Sequence, residues 1–144
     1  MRAWIASAAL VCGCAAQPPA PAAELFETYW RAVEIDGKPI VRRPGTREPH
    51  ILLKREANRI SGFAGCNSVA GTFRHEGVAL RFGDKLAMTR MACAGEGDAL
   101  EASFTKALTS TASYRIAGDR LELRDAQGAV RMIFEARGPA TAVK

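Results

Sequence analysis

The chain has 144 residues, 48% of them hydrophobic and 24% charged, and its 20 basic against 15 acidic side chains leave a net charge of +5. That length supplies one core and not several. The modest excess of cations comes with no nucleic-acid recognition motif, which argues against a nucleic-acid partner.

The first residues read as an export signal. Met1-Arg2 supplies one basic group, and Ala3–Val11 is an uncharged apolar run far below the ~20 residues that a membrane-spanning helix needs. Val11-Cys12-Gly13-Cys14 is similar to a bacterial lipobox, which makes residues 1–13 a signal peptide and Cys14 the lipid-bearing residue. Cys12 stands where Ala, Ser or Thr is more usual, and Val11 before it makes Cys12 itself the poorer acceptor. The alternative is an ordinary secreted chain cut nearby. Removal of Arg2 leaves 19 basic and 15 acidic residues, a charge of +4. Ala15–Ala23 is uncharged and rich in Ala and Pro, which suits an extended tether through residues 14–27. Acyl chains on Cys14 would each add about 0.8 kcal/mol per buried methylene to membrane attachment.

Short strands dominate the rest of the chain, in a domain expected over residues 28–136 with a tail at 137–144. Thr28–Ile35 is rich in aromatic and branched residues and stops at the turn Asp36-Gly37-Lys38-Pro39. His50–Arg55 and Arg59–Ala64 are the next two strands, with Ala57-Asn58 at the turn. Gly65-Cys66-Asn67-Ser68 makes an irregular corner. Gly71–His75 and Val78–Phe82 form a hairpin in which Val78, Leu80 and Phe82 share one face. Asp98–Leu108 carries Leu100, Phe104, Ala107 and Leu108 at helical spacing, with Asp98 at the N-cap position. Ser113–Ala117, Arg120–Arg124 and Ala129–Glu135 alternate again, with Tyr114, Ile116, Leu121, Leu123, Val130, Met132 and Phe134 inward. The pattern defines an α+β, mainly β class: a curled antiparallel sheet or partly open barrel of about seven to nine strands with one α-helix packed on it. There is no internal repeat.

With Cys12 lost and Cys14 acylated, Cys66 and Cys93 remain, and an even pair in an oxidising compartment reads as a disulfide. Such a bond is worth roughly 3–4 kcal/mol on the chain-entropy model. Two buried free thiols, a catalytic thiol or a metal site stay open as alternatives. The metal reading is poor, because only His50 and His75 could add nitrogen ligands and no short paired spacing occurs. Between Lys38 and Arg59 stand Lys38, Arg42, Arg43, Arg47, Lys54, Arg55 and Arg59 against Glu48 and Glu56. Arg42, Arg43 and Arg47 are the candidate patch for an anionic partner, and a solvated loop around Pro44-Gly45-Thr46 and Pro49 is the alternative.

Gly65-Cys66-Asn67, Gly71-Thr72-Phe73 and the run Leu86-Ala87-Met88-Thr89-Arg90-Met91-Ala92-Cys93 together resemble the signature of the META domain, the HslJ-like family of heat-shock-associated lipoproteins. Trp30 and Asp36-Gly37-Lys38-Pro39 precede them in matching order. Glu101, Phe104 and Leu108 on the helix, then Leu121–Asp125, Gly128 and Phe134, come after them. The resemblance spans Tyr29 to Phe134, and its specific part is Ala87–Cys93. It implies a compact antiparallel domain at the bacterial envelope with a link to stress tolerance; together with the lipobox at Cys14, the expected address is a lipid anchor in the outer membrane facing the periplasm. It implies no cofactor, metal or reaction. A fold-level likeness to the lipoprotein pilots of secretion systems adds binding of a partner protein or an acyl chain. The Arg42–Pro49 loop is longer and more basic than the family usually carries.

Read physically, the motif is a clamp that pins the Cys66 and Cys93 segments across the sheet, with a ligand site as the alternative. Gly65 and Gly71 permit backbone closed to other residues, Asn67 can bond nearby backbone, and Thr89 ties the second segment to the Asn67 corner. Ala87, Met88 and Met91 supply packing. No nucleophile elbow, phosphate loop or zinc-protease motif is present. Glu96, Asp98 and Glu101 suit the helix start. The expectation is a non-catalytic envelope lipoprotein that binds a protein or amphiphile. The competing expectation is an inhibitor of lysozyme or a protease, with Arg42–Pro49 entering the enzyme cleft. A cavity between helix and sheet would favour the first.

Overall fold

The computed structural model describes residues 21–93 and 95–139. The signal segment, Cys12 and Cys14 lie outside those residues. Ten antiparallel strands and one helix succeed one another: β1 (Thr28–Ile35), β2 (Lys38–Pro39), β3 (His50–Lys54), β4 (Arg59–Phe63), β5 (Ser68–Glu76), β6 (Ala79–Phe82), β7 (Ala87–Met88), α1 (Gly97–Thr109), β8 (Ser113–Ala117), β9 (Arg120–Arg124) and β10 (Val130–Pro139). Strand order is β10-β9-β8-β6-β5-β4-β3-β1-β2, and β10 also pairs with β1, so the sheet curls into a ring. This is the expected mainly β class, with a ring that is not a regular barrel.

The ring is strong where alternation is long and thin where it is short. β1 and β10 pair from Thr28↔Pro139 to Ile35↔Met132 with two irregularities. By contrast, β6 and β8 share the single bridge Ala79↔Ser113. Backbone bonds from Leu80 to Ala112 at 3.1 Å and from Tyr114 to Val78 at 3.0 Å support that seam. The helix α1 packs against β1, β6 and β10 and buries Phe104, Ala107 and Leu108. Phe104 meets Phe134 edge-on at 6.4 Å, a geometry worth about 1 kcal/mol beyond area burial. Trp30, Ile51, Leu53, Leu80, Leu121, Leu123, Met132 and Phe134 are fully enclosed around it.

Several expectations are corrected. Leu25 and Phe26, assigned to the tether, are 5% and 7% exposed. They plug one end of the ring: the Trp30 indole N–H donates to the Leu25 carbonyl at 2.9 Å, and Phe26 stacks on Phe73 at 5.8 Å. The last strand continues past residue 136 to Pro139, because β1 offers it a partner down to Thr28. Val78 is exposed, since it lies at the turn where the hairpin has left the wall of the ring. The helix starts at Gly97 with Glu96 at the cap and no side-chain capping bond, so Asp98 lies inside the first turn. There its carboxylate still meets the positive end of the helix dipole. The two-residue strands β2 and β7 are too short to show a period in sequence.

Two turns explain how adjacent strands meet. Asp36 and Gly37 have φ of 50° and 75°, the left-handed pair of a tight hairpin turn, which Asp-Gly adopts readily. At Gly62 an added Cβ would lie 2.3 Å from the His50 carbonyl oxygen, so β3 and β4 come together only over a bare α-carbon.

Candidate functional site

The Gly-Cys-Asn corner between β4 and β5 and the segment after β7 form one locked unit. Asn67 is 4% exposed. Its side-chain carbonyl accepts the Thr89 hydroxyl at 2.9 Å and the Met91 N–H at 2.8 Å. Its amide donates to the Met91 carbonyl at 3.3 Å. The Asn67 backbone N–H donates to Glu101 Oε2 on α1 at 2.8 Å. Thr89 completes the tie: its hydroxyl oxygen accepts the Ser68 N–H at 3.0 Å, and its N–H donates to the Ser68 carbonyl at 3.1 Å. Cys66 and Cys93 are joined as a disulfide with Cα atoms 5.8 Å apart. A Cβ on Gly65, whose φ is +107°, would lie 2.6 Å from Leu100 Cδ2, and one on Gly71 would lie 2.7 Å from Leu86 Cδ2. The motif residues therefore converge on corner, strand and helix together.

Parts of the motif do other than expected. Met91 is 65% exposed and serves through its backbone rather than by packing, and Ala87 and Arg90 are exposed too. Met88 is half-buried against the core and accepts the Thr105 hydroxyl at 3.7 Å. The sequence marks Glu101 only as a helix-start acid; its bond to Asn67 depends on how α1 docks, which no local pattern carries. Glu101, Cys66 and Cys93 place ligand atoms within 4.8 Å of one another. With the sulfurs joined to each other, that set offers no thiolate to a metal.

A more open hollow of about 620 Å³ lies beside the clamp, against Asn67, Met88, Thr89 and Arg90. A second cleft, of about 680 Å³, runs between α1 and the β1–β2 edge under the 40–49 loop. Its volume lies in the usual range for small-molecule sites. Ala32, Ile35, Ile40 and Leu100 form an apolar floor, and Lys38, Arg42, Arg43 and Arg47 stand around it with Glu48 and Glu96. Arg43 is ion-paired to Glu96 at the helix start. The Arg47 guanidinium lies 4.6 Å from the centre of the Phe63 ring. The Thr46 hydroxyl donates to the Arg43 carbonyl at 2.8 Å, which braces the loop tip. Arg42 forms no ion pair among the described residues.

The two histidines stand apart. His50 is buried, stacks on Tyr29 at 4.4 Å and has Nδ1 3.0 Å from the Glu48 carbonyl. Burial pushes its imidazole below the ordinary range, against the opposing pull of that backbone bond. Burial also pushes the Tyr29 phenol up. His75 is exposed, packs edge-on to Phe26 at 5.0 Å and has Nε2 3.3 Å from the Tyr114 hydroxyl. Neither histidine approaches the sulfurs, so no thiol–imidazole pair forms among the described residues.

A curled antiparallel ring closed by one helix, with a corner stapled by disulfide and asparagine, defines a small β domain whose signature residues hold its own chain together. The META domain family model matches residues 23–138, and the chain belongs to that family. A solved solution structure of a protein from Burkholderia xenovorans is similar with a TM-score of 0.61 and 24% identity, over 89% of this chain and 97% of that one. Another solution structure is similar with a TM-score of 0.60 and 24% identity, over 77% and 90%. At that identity the likeness concerns the fold. No curated protein matches the chain.

Proposed function

We propose that this META-domain protein is a non-catalytic lipoprotein of the cell envelope that binds a protein or an amphiphile in envelope stress tolerance. Its anchor would be Cys14, in the outer membrane facing the periplasm. The observation that carries the binding part is the cleft of about 680 Å³ between α1 and the β1–β2 edge. An apolar floor under a cationic rim suits a ligand with an apolar body and an anionic end, or an acidic stretch of a partner protein. The lead sequence before Cys14 and the uncharged Ala/Pro run after it support the address.

The test uses the mature chain and its Arg42→Glu/Arg43→Glu/Arg47→Glu variant as baits in envelope extract, with native mass spectrometry of both for retained amphiphiles. A partner or amphiphile held by the parent and lost from the variant is the expected result. Identical retention by both would place the interface elsewhere. Intact mass of the mature N-terminus reads acylation at Cys14 directly.

A second reading rests on the loop itself. Arg42–Arg47 is exposed yet braced at three points, by Arg43 to Glu96, by Thr46 to Arg43 and by Arg47 over Phe63. A braced, protruding cationic loop is what an inhibitor of lysozyme or a protease would insert into an enzyme cleft, since rigidity limits the ordering cost of binding. Inhibition assays with the same loop variant separate the two readings.

A further inference from the structure

The basic run from Lys38 to Arg59 is not one patch. β1 is 8 residues long, about 25 Å at the usual strand rise. Lys38 is paired with Ile35 at its far end, and Arg42 and Arg43 stand with it around the cleft. Lys54, Arg55 and Arg59 sit at its near end, beside the start of the domain.

At the near end the cations are arranged against one another. Lys54 is directly opposite Arg59 across β3 and β4, and Arg74 is directly opposite Arg81 across β5 and β6. Arg59 is also in register with Thr72, two residues before Arg74, so the two pairs adjoin on the outer face. All four are exposed. None forms an ion pair among the described residues, unlike Arg31, Arg120, Arg124 and Arg131. Glu56, Glu76 and Asp84 flank the group without pairing to it. Like charges directly opposite in a sheet are destabilising, and a surface that supplies anions removes that cost.

The chain leading to Cys14 departs from the same end. The Glu27 N–H donates to the Leu53 carbonyl at 2.9 Å, and the Ala23 N–H donates to the Gly118 carbonyl at 2.8 Å. Between them, Phe26 is overlaid by the Arg55 guanidinium at 4.2 Å. Residues 23–27 thus cross the end of the ring from β3 to the β8–β9 turn. From Ala23 back to Cys14 is nine residues, which reach about 30 Å at most when extended.

We infer that the outer face carrying Lys54, Arg59, Arg74 and Arg81 lies on the anionic phospholipid headgroups of the membrane that holds the anchor, which turns the cleft toward the space beyond. The inference rests on Cys14 as the anchor. An acyl anchor and a cationic face on one side of a domain act as two membrane signals rather than one. The short tether keeps the face within reach of the surface, where each cation contributes and salt screens the attraction.

The test uses the mature chain from residue 14 with Cys14→Ser, so that acylation plays no part. Its partition is measured onto vesicles of phosphatidylcholine alone and of phosphatidylcholine mixed equally with phosphatidylglycerol, at low and high salt. Binding confined to the anionic vesicles and lost at high salt is expected. Arg59→Gln/Arg74→Gln/Arg81→Gln should weaken it by about a hundredfold, with thermal stability equal to or above the parent's. Arg42→Gln/Arg43→Gln should leave it within about twofold, because these two side chains stand around the cleft, away from the lipid. Equal binding to both vesicle types, no loss in the sheet-face variant, or a greater loss in the loop variant would each overturn the inference. Absence of acyl mass on the native N-terminus would instead remove the anchor reading and leave the vesicle result standing.

Discussion

The Asn67 side-chain carbonyl accepts the Thr89 hydroxyl at 2.9 Å, which joins two segments 22 residues apart in the chain. With the Met91 N–H on the same oxygen at 2.8 Å, both lone-pair directions are used inside a nearly closed site. Removing a buried acceptor strands its donors, which costs more than the bonds are worth on average. Asn67→Ala should therefore lower unfolding free energy by about 3 kcal/mol, and Thr89→Val by about 1–2 kcal/mol. Denaturant titration checks both. A loss for Asn67→Ala no larger than that for Thr89→Val would refute the clamp.

The disulfide spans 27 residues, so its loss should cost about 3–4 kcal/mol through the unfolded state. Cys66→Ala/Cys93→Ala should nonetheless retain the fold, because Asn67, Ser68 and Thr89 hold the same two segments without sulfur. The expected outcome is a lower denaturation midpoint with an unchanged amide spectrum. Collapse of the spectrum would show that the hydrogen bonds depend on the covalent tie.

Gly62 offers a sharper contrast. Its missing Cβ would meet a backbone oxygen at 2.3 Å, and a backbone atom in a paired strand cannot rotate away. Gly62→Ala should destabilise by about 3 kcal/mol or more. Gly77→Ala has open space around its Cβ and loses only from its φ of +59°, about 1 kcal/mol. Thermal melts of the two variants side by side give the order.

His50 sets a pH dependence. Burial lowers its pKa from the ordinary 6.5, so the unfolded chain takes up the proton first as pH falls. Above 6.5 neither state is protonated and stability is unaffected by this group. As pH drops through 6.5 toward the folded value, stability should decline, and it should level off below that value. His50→Phe keeps the ring stacked on Tyr29 and should flatten that stretch of the stability–pH curve. An unchanged slope in the variant would assign the dependence to other groups.

How much is legible in the sequence depends on where each constraint resides. β1 is bounded from Thr28 to Ile35 in sequence because its branched run ends in an Asp-Gly turn, and both signals are local. The hydrophobic spacing of Phe104, Ala107 and Leu108 marks the buried face of α1 for the same reason. Val78 misleads because alternation persists in sequence one step beyond the point where the strand leaves the wall. Leu25 and Phe26 are hidden because they plug an opening that exists only once the ring has closed. Gly62 shows no sign at all, since its constraint is the carbonyl of a neighbouring strand.

By itself the sequence marked the strand and helix periods, the candidate acylation signal and the family resemblance, and it offered the Cys66–Cys93 pairing and the Thr89 tie to Asn67 among alternatives that the structure resolved. All of these rest on residues close in the chain or on one specific motif. Only the tertiary structure decided that Glu101 belongs to the clamp and that a cleft opens between α1 and the β1–β2 edge. It likewise divided one basic run between opposite ends of β1. Charge and burial are properties of surfaces, and a surface is assembled from residues that the chain brings together from far apart.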